Sequence, residues 1–270
     1  MGVVKAGEPE KVAEAVAEIF SPKALIRHYS YYPVVPKEYS RMLEKFERKE
    51  ELPEKWREFF EFVRERGHEQ VPFSEYPEIL KEWILDGIED TLGETNTEGV
   101  GWIDDGEEGI AVIKQRDGGY ALVHLEPVSD HPSPDECKRI LFNQLLPIQE
   151  ALRNAVPEAF LDEGLFSLHE GLFNYLSSKQ IVGTGKEENF VRFHRTVYSY
   201  GTKYPVGDEE VNRIRELLEE FPEVSFDGEW KVKTETEASL LREKLQESSL
   251  EGEVSLEGPE SCLEDDGLSP

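Results

Sequence analysis

Apolar residues recur at helical spacing through much of the N-terminal third of the chain. Val12, Val16 and Phe20 stand four apart among Glu and Lys, which predicts a helix with one buried face. Gly67 follows one such segment as a stop signal. The segments with this pattern are residues 9–20, Tyr39 to Phe46, Glu54 to Arg66 and Tyr76 to Leu92.

Two intervening segments have a different pattern. Ala24 to Val35 is β-branched and aromatic, which favours a strand or an extended segment. Ser21-Pro22 is then interpreted as the end of the preceding helix. Gly93 to Gly101 is polar and glycine-rich, and is the best candidate for a joint between two subdomains.

The strongest prediction is a β-hairpin followed by a helix between Gly109 and Asn154. Two β-rich segments flank a turn at Asp117-Gly118-Gly119, whose residues accept the backbone angles of tight turns. After a proline-marked break, Cys137 to Asn154 is amphipathic. The hairpin and this helix each have an apolar face to bury, which predicts a packed ββα unit.

The C-terminal part alternates between the two patterns. Leu161 to Leu176 is mostly apolar and predicts a buried helix, and Phe190 to Tyr200 alternates as strands do. A helix from Asp208 to Phe221 and a strand from Glu223 to Val232 are predicted next. From Thr234 the chain has too little apolar content to offset the entropy of ordering, so disorder is expected.

These elements predict an α+β fold. We expect a mixed sheet with a central β-hairpin–helix unit packed against several amphipathic helices, and an acidic, disordered C-terminal tail. The expected organisation is a helix-rich N-terminal subdomain with one strand over residues 1–95, an α+β core over 96–233 and the tail over 234–270.

The net charge of −28 is the outstanding feature of the composition. Of the 58 acidic residues, 12 are Asp and the other 46 are Glu, the residue that supports solvated helices. A solubilising surface, adaptation to high salt (a halophilic chain), and an acidic surface that binds basic partners or mimics nucleic acid each account for this excess. Nonspecific binding to a phosphate backbone is disfavoured at this charge.

The two cysteines are far apart, so no disulfide framework or cysteine-rich metal site is expected. No run of apolar residues reaches the roughly 18 needed to cross a membrane. We therefore expect a soluble, cytoplasmic protein.

Two aromatic stretches are locally basic and predict a binding groove. If both are strands of one sheet, their Arg, His and Tyr side chains form a patch for an anionic ligand or a single-stranded nucleic acid. Packing of the two strands against each other is the structural alternative. The candidate binding residues are Arg27, His28, Tyr31, Arg192, His194, Arg195 and Tyr198.

A second group of residues has metal-binding chemistry. His124 and Glu126 are two apart on a predicted strand and so share a face, while Asp130 and His131 follow after a short bend. Imidazole and carboxylate are good ligands for a divalent metal. A strand end with ordinary polar residues is the simpler interpretation.

The hairpin–helix unit resembles the core of PD-(D/E)xK nucleases. Asn143-Gln144-Leu145-Leu146 fits the helix of that core, but Ala111 stands where the family has Asp, and His124 and Glu126 replace its Glu and Lys. The resemblance therefore implies an inactive relative or an altered metal site.

No complete catalytic motif accompanies the well-patterned core. We therefore predict a non-enzymatic protein that acts by binding, with a protein or an anionic ligand as partner. The alternative is a nuclease-like, metal-dependent hydrolase that uses His124, Glu126 and Asp130 or Glu229 with a divalent metal.

Overall fold

A computed structural model gives the fold. The structure describes residues 4–30, 34–104, 106, 108–129 and 131–178, together with the backbone of residues 230–232 and 254–256. Within these ranges, no helix is long and apolar enough to cross a membrane.

Within the described ranges, five α-helices precede the three strands between residues 100 and 125, and three follow them. The N-terminal elements are β1 (Val4–Ala6), α1 (Pro9–Ala17), α2 (Pro22–Tyr29), α3 (Tyr39–Glu47), α4 (Glu54–Arg66) and α5 (Glu78–Glu98). The strands and helices that follow are β2 (Val100–Asp104), β3 (Gly109–Lys114), β4 (Tyr120–Leu125), α6 (Pro134–Ile140), α7 (Leu146–Arg153) and α8 (Glu163–Ser178). A turn of π-helix, Leu141–Leu145, makes α6 and α7 one continuous helical segment. The described residues therefore form an α+β fold.

The strand predicted from Ala24 to Val35 is wrong, because Pro22–Tyr29 is helix α2. The Ser21 hydroxyl accepts a hydrogen bond from the Ala24 amide, and Pro22 occupies the first turn, so Ser21-Pro22 starts this helix. Leu25 and Tyr29, four residues apart, are fully buried. Burial of this helical face outweighs the β-propensity of the segment.

The segment from Gly93 to Gly101, predicted as a joint between subdomains, is helical over most of its length, because helix α5 continues to Glu98. Gly99 ends the helix with a φ of 83°, the left-handed conformation typical of a glycine stop, and its amide donates to the Thr95 carbonyl. The strand β2 starts at once. The proposed boundary at residue 95 therefore falls inside a helix, and the division into subdomains stays a prediction.

The four strands β1 to β4 form one antiparallel sheet in the order β1-β4-β3-β2. A mixed sheet was expected, but every pairing within this sheet is antiparallel. The predicted hairpin is confirmed: β3 pairs with β4 across the turn at Asp117 to Gly119. Gly118 has a φ of 92° there, and the Gly119 amide donates to the Asp117 carboxylate.

The sheet is buried on both faces, whereas the sequence analysis assigned the hairpin one apolar face. One face packs against α1 to α5 and the other against α6 to α8, so the sheet separates two hydrophobic cores. Strand residues alternate between the two cores. The side chains facing α1 to α5 are Ile103, Ile110, Val112, Tyr120 and Leu122, and those facing α6 to α8 are Val100, Ala111, Ile113, Ala121 and Val123.

Two short strands complete the described chain. Strand β5 (Trp230–Val232) pairs in parallel with β6 (Val254–Leu256). Strand β5 ends at Val232, where the strand predicted from Glu223 also ends. Strand β6 lies inside the predicted tail. The rest of the tail lies outside the described residues, so its disorder stays a prediction.

Candidate functional site

His124 lies near the end of strand β4, on the face that packs against the N-terminal helices. It pairs across the sheet with Ile110, and its side chain is only 15% exposed. Its Nε2 atom lies 3.2 Å from a carboxylate oxygen of Glu108. Within the part of the chain that the structure describes, the carboxylate in contact with His124 thus comes from the connection between β2 and β3, not from its own strand.

Glu126 lies beyond the end of β4 and contacts a different element. Its carboxylate lies 3.1 Å from the Arg139 guanidinium of helix α6, and its backbone carbonyl accepts a hydrogen bond from Gln144. His124 and Glu126, predicted to share a ligand set, are therefore paired with different partners. The buried Gln144 amide holds the loop after β4 against the π-helical turn.

The other members of the predicted metal set are dispersed or undescribed. His131 is exposed to solvent, and Asp130 lies outside the described residues. Among the residues that the structure describes, no group of three or more His, Cys, Asp or Glu side chains is placed to hold a metal ion. The metal site therefore stays a prediction.

The predicted binding patch has only its first two members within the described residues. Both lie on helix α2, where Arg27 is exposed and His28 is buried. The His28 Nδ1 atom accepts a hydrogen bond from the Asp104 amide at 3.5 Å, and burial lowers the pKa of the imidazole. The members outside the described residues are Tyr31, Arg192, His194, Arg195 and Tyr198.

The tertiary structure joins two residues that the sequence analysis placed in separate sites. His28 contacts strand β2 at Asp104, Asp104 pairs with Gly109, and Gly109 pairs with Leu125 beside His124. Both histidines therefore lie at the same end of the sheet. Sequence reasoning missed this relationship because it assigned His28 to a strand and not to a helix covering the sheet.

Helix α5 has a continuous line of exposed carboxylates, here called the acidic ridge. Its members recur every four residues, so consecutive ones lie on neighbouring turns. The helix rises 1.5 Å per residue and has 3.6 residues per turn, so the ridge extends about 30 Å along the axis and winds by about 40° at each step. The acidic ridge consists of Glu78, Glu82, Asp86, Asp90, Glu94 and Glu98.

The ridge is little neutralised by the described part of the chain. Among the described residues, its one ion pair joins Glu78 to Lys55 at 2.6 Å. Glu94 and Glu98 stand near the C-terminus of the helix, where the helix dipole disfavours negative charge, and the last turn has no basic residue. The signal in the sequence was the four-residue spacing, but the predicted helix ended at Leu92 and so excluded the last two carboxylates.

The adjacent helix α4 has a balanced surface. Its 13 residues include four Glu and four Lys or Arg, whereas α5 has seven acidic residues and one Lys. On α4 the side chains of Arg64 and Glu65 lie 3.0 Å apart, and Arg64 also lies over the Phe46 ring. Of these two neighbouring helices, only α5 therefore has an excess of acidic residues.

A groove of about 410 Å³, here called the α1 groove, lies between the end of helix α1 and the segment 70–74. Its lining is apolar at Ala17, Val71 and Phe73 and acidic at Glu14 and Glu18. The two glutamates are exposed and lie one helical turn apart. Comparison with family models, curated proteins and solved structures finds no match to this chain.

Proposed function

We propose that this protein acts by binding, and that the acidic ridge of helix α5 receives a cationic segment of a protein partner. The observation that carries the proposal is the placement of six exposed carboxylates along one helix with a single ion pair among the described residues. A row of lysines or arginines supplies the missing countercharge.

The ridge is unfavourable for the isolated helix. Like charges four residues apart destabilise a helix by about 0.2–0.5 kcal/mol per pair. Five such pairs follow one another from Glu78 to Glu98, and the last carboxylates also oppose the helix dipole. A cationic partner relieves both effects, so the arrangement favours association with helix α5.

A general requirement for solubility or for salt tolerance accounts less well for this pattern. Such a requirement acts on the whole surface, and it would place a similar excess of acidic residues on helix α4 and on helix α5. Helix α4 instead has equal numbers of acidic and basic residues. The contrast between two neighbouring helices supports a specific role for the ridge.

An oligolysine of about ten residues tests the proposal, because its extended length of about 33 Å matches that of the ridge. Affinity is measured by isothermal titration at about 50 mM NaCl, where screening is weak. The triple variant Glu82→Gln, Asp86→Asn, Asp90→Asn should bind about tenfold more weakly, since three exposed charge pairs at about 0.5 kcal/mol each are lost.

The matched control neutralises three glutamates on helix α4. The variant Glu58→Gln, Glu61→Gln, Glu65→Gln changes the net charge by the same amount, and it should keep the wild-type affinity within about twofold. Equal losses in the two triple variants would show that oligolysine responds to net charge alone, and the assignment to the ridge would be wrong.

A further inference from the structure

The α1 groove combines an apolar floor with an acidic rim. Ala17 and Val71 on the floor are each 1% exposed, and Phe73 is 8% exposed, so the floor is set by packed side chains. The volume of about 410 Å³ lies within the range of pockets that accept small ligands or single side chains. The groove is therefore a preformed hollow for an apolar group.

The rim gives the groove a charge preference. Glu14 and Glu18 are exposed, and within the described residues neither takes part in an ion pair. At the segment opposite, the Lys81 ammonium donates to the Ser74 carbonyl and the Gln70 amide donates to the Ile19 carbonyl. The two rim carboxylates remain available to a cation from outside.

We propose that the α1 groove binds a partner segment in which one aliphatic side chain is flanked by lysine or arginine. The aliphatic side chain enters the hollow above Ala17 and Phe73, and the neighbouring cation pairs with Glu14 or Glu18. Charge complementarity selects this occupant, because an acidic or a purely apolar segment leaves the two rim carboxylates without countercharge. The interaction adds an apolar anchor that the acidic ridge lacks.

Two peptides separate the apolar contribution from the charge. One has the sequence Gly-Lys-Lys-Leu-Lys-Lys-Gly, and the other has Gly in place of Leu. Fluorescence anisotropy of the labelled peptides is measured with the full chain. We expect the leucine peptide to bind about tenfold more tightly, because burial of one Leu side chain contributes about this factor.

Blocking the groove should remove that difference. In Ser74→Trp a large ring is introduced at the groove lining, and the two peptides should bind alike. Ser40→Trp is the matched control, since Ser40 is exposed on helix α3 and does not line the groove, and it should keep the tenfold preference. Circular dichroism establishes that each variant is folded.

The rim is tested by the double variant Glu14→Gln, Glu18→Gln, which stays informative even if Ser74→Trp fails to fold. It should weaken the binding of both peptides more than the double variant Glu58→Gln, Glu61→Gln on helix α4 does. Equal binding of the two peptides to the wild type, or a preference for leucine that survives Ser74→Trp, would overturn the assignment. The ridge triple variant should keep the leucine preference, so failure at the ridge and failure at the groove are distinguishable.

Discussion

The ring of Tyr29 on helix α2 packs directly against Gly87 of helix α5. A Cβ atom at position 87 would lie 2.4 Å from the Tyr29 Cδ1 atom, well inside van der Waals contact. Tyr29 is fully buried, and its hydroxyl lies 3.4 Å from the Thr91 hydroxyl. The absence of a side chain at Gly87 therefore sets how closely α2 approaches α5.

Gly87→Ala should destabilise the protein by about 1–3 kcal/mol, because the added Cβ atom overlaps the buried Tyr29 ring and forces a shift in the packing. Urea denaturation followed by circular dichroism measures the change. Gly93→Ala is the matched control on the same helix, since no atom lies within 4 Å of its added Cβ. That variant should gain up to about 1 kcal/mol from helix propensity. A gain in the free energy of unfolding in both variants would show that Tyr29 and Gly87 are not tightly packed.

His169 on helix α8 should make stability depend on pH. It is fully buried in the core beneath α7, and burial lowers the pKa of the imidazole to about 3. The unfolded chain takes up a proton below its ordinary pKa of about 6.5, whereas the folded chain stays neutral until about pH 3. The contribution of the neutral His169 to stability is therefore fully present above pH 6.5 and is lost progressively as the pH falls toward 3.

The loss from this group alone is about 2 kcal/mol at pH 5. Urea midpoints at pH 7.5 and pH 5 should show a smaller pH effect in His169→Gln than in the wild type. Comparison of the two chains cancels the general effect of protonating surface carboxylates. The same pH dependence in both chains would mean that His169 takes up its proton without unfolding.

Neutralising the acidic ridge should stabilise the unbound protein. The triple variant Glu82→Gln, Asp86→Asn, Asp90→Asn removes four repulsive pairs, which amounts to about 1–2 kcal/mol at low ionic strength. The gain should shrink in about 1 M NaCl, where charges are screened over about 3 Å. Thermal denaturation at the two salt concentrations measures both effects, and a gain independent of salt would exclude repulsion as the cause.

The hydrolase alternative is tested by zinc binding. His124 contacts Glu108, and Glu126 contacts Arg139, so we expect His124→Ala to leave the Zn²⁺ content of the purified protein unchanged. Mass spectrometric metal analysis after dialysis measures this content. His68→Ala is a matched control, since His68 is exposed and lies beside Lys23. Zinc that is lost in His124→Ala and retained in His68→Ala would support the metal site.

Local signals in the sequence determined several elements of this protein. Helix α4 runs from Glu54 to Arg66 as predicted. Its apolar residues recur three or four positions apart, and this local pattern is sufficient to indicate a helix. The hairpin turn at Asp117 to Gly119 follows equally from local backbone preferences. The α+β class follows from these elements.

The tertiary structure decided what local patterns leave open. The segment Pro22–Tyr29 has β-rich composition, yet it is a helix because Leu25 and Tyr29 bury one face against the rest of the N-terminal layer. Helix α5 passes through its glycines to Glu98 because its apolar face is covered along its length. The full length of the acidic ridge is therefore a consequence of packing. Burial of the apolar face keeps the helix intact to Glu98 and leaves the carboxylates on the remaining surface in solvent.

The contacts of the candidate residues depend on elements that are distant in sequence. The imidazole of His28 meets the Asp104 amide only because α2 covers the end of β2, and Glu126 meets Arg139 only because α6 packs on the opposite face. Residue type indicated which side chains have useful chemistry. The arrangement of the two helical layers on a sheet buried on both faces decided which of them meet, because contacts across layers are set by packing and not by spacing along the chain.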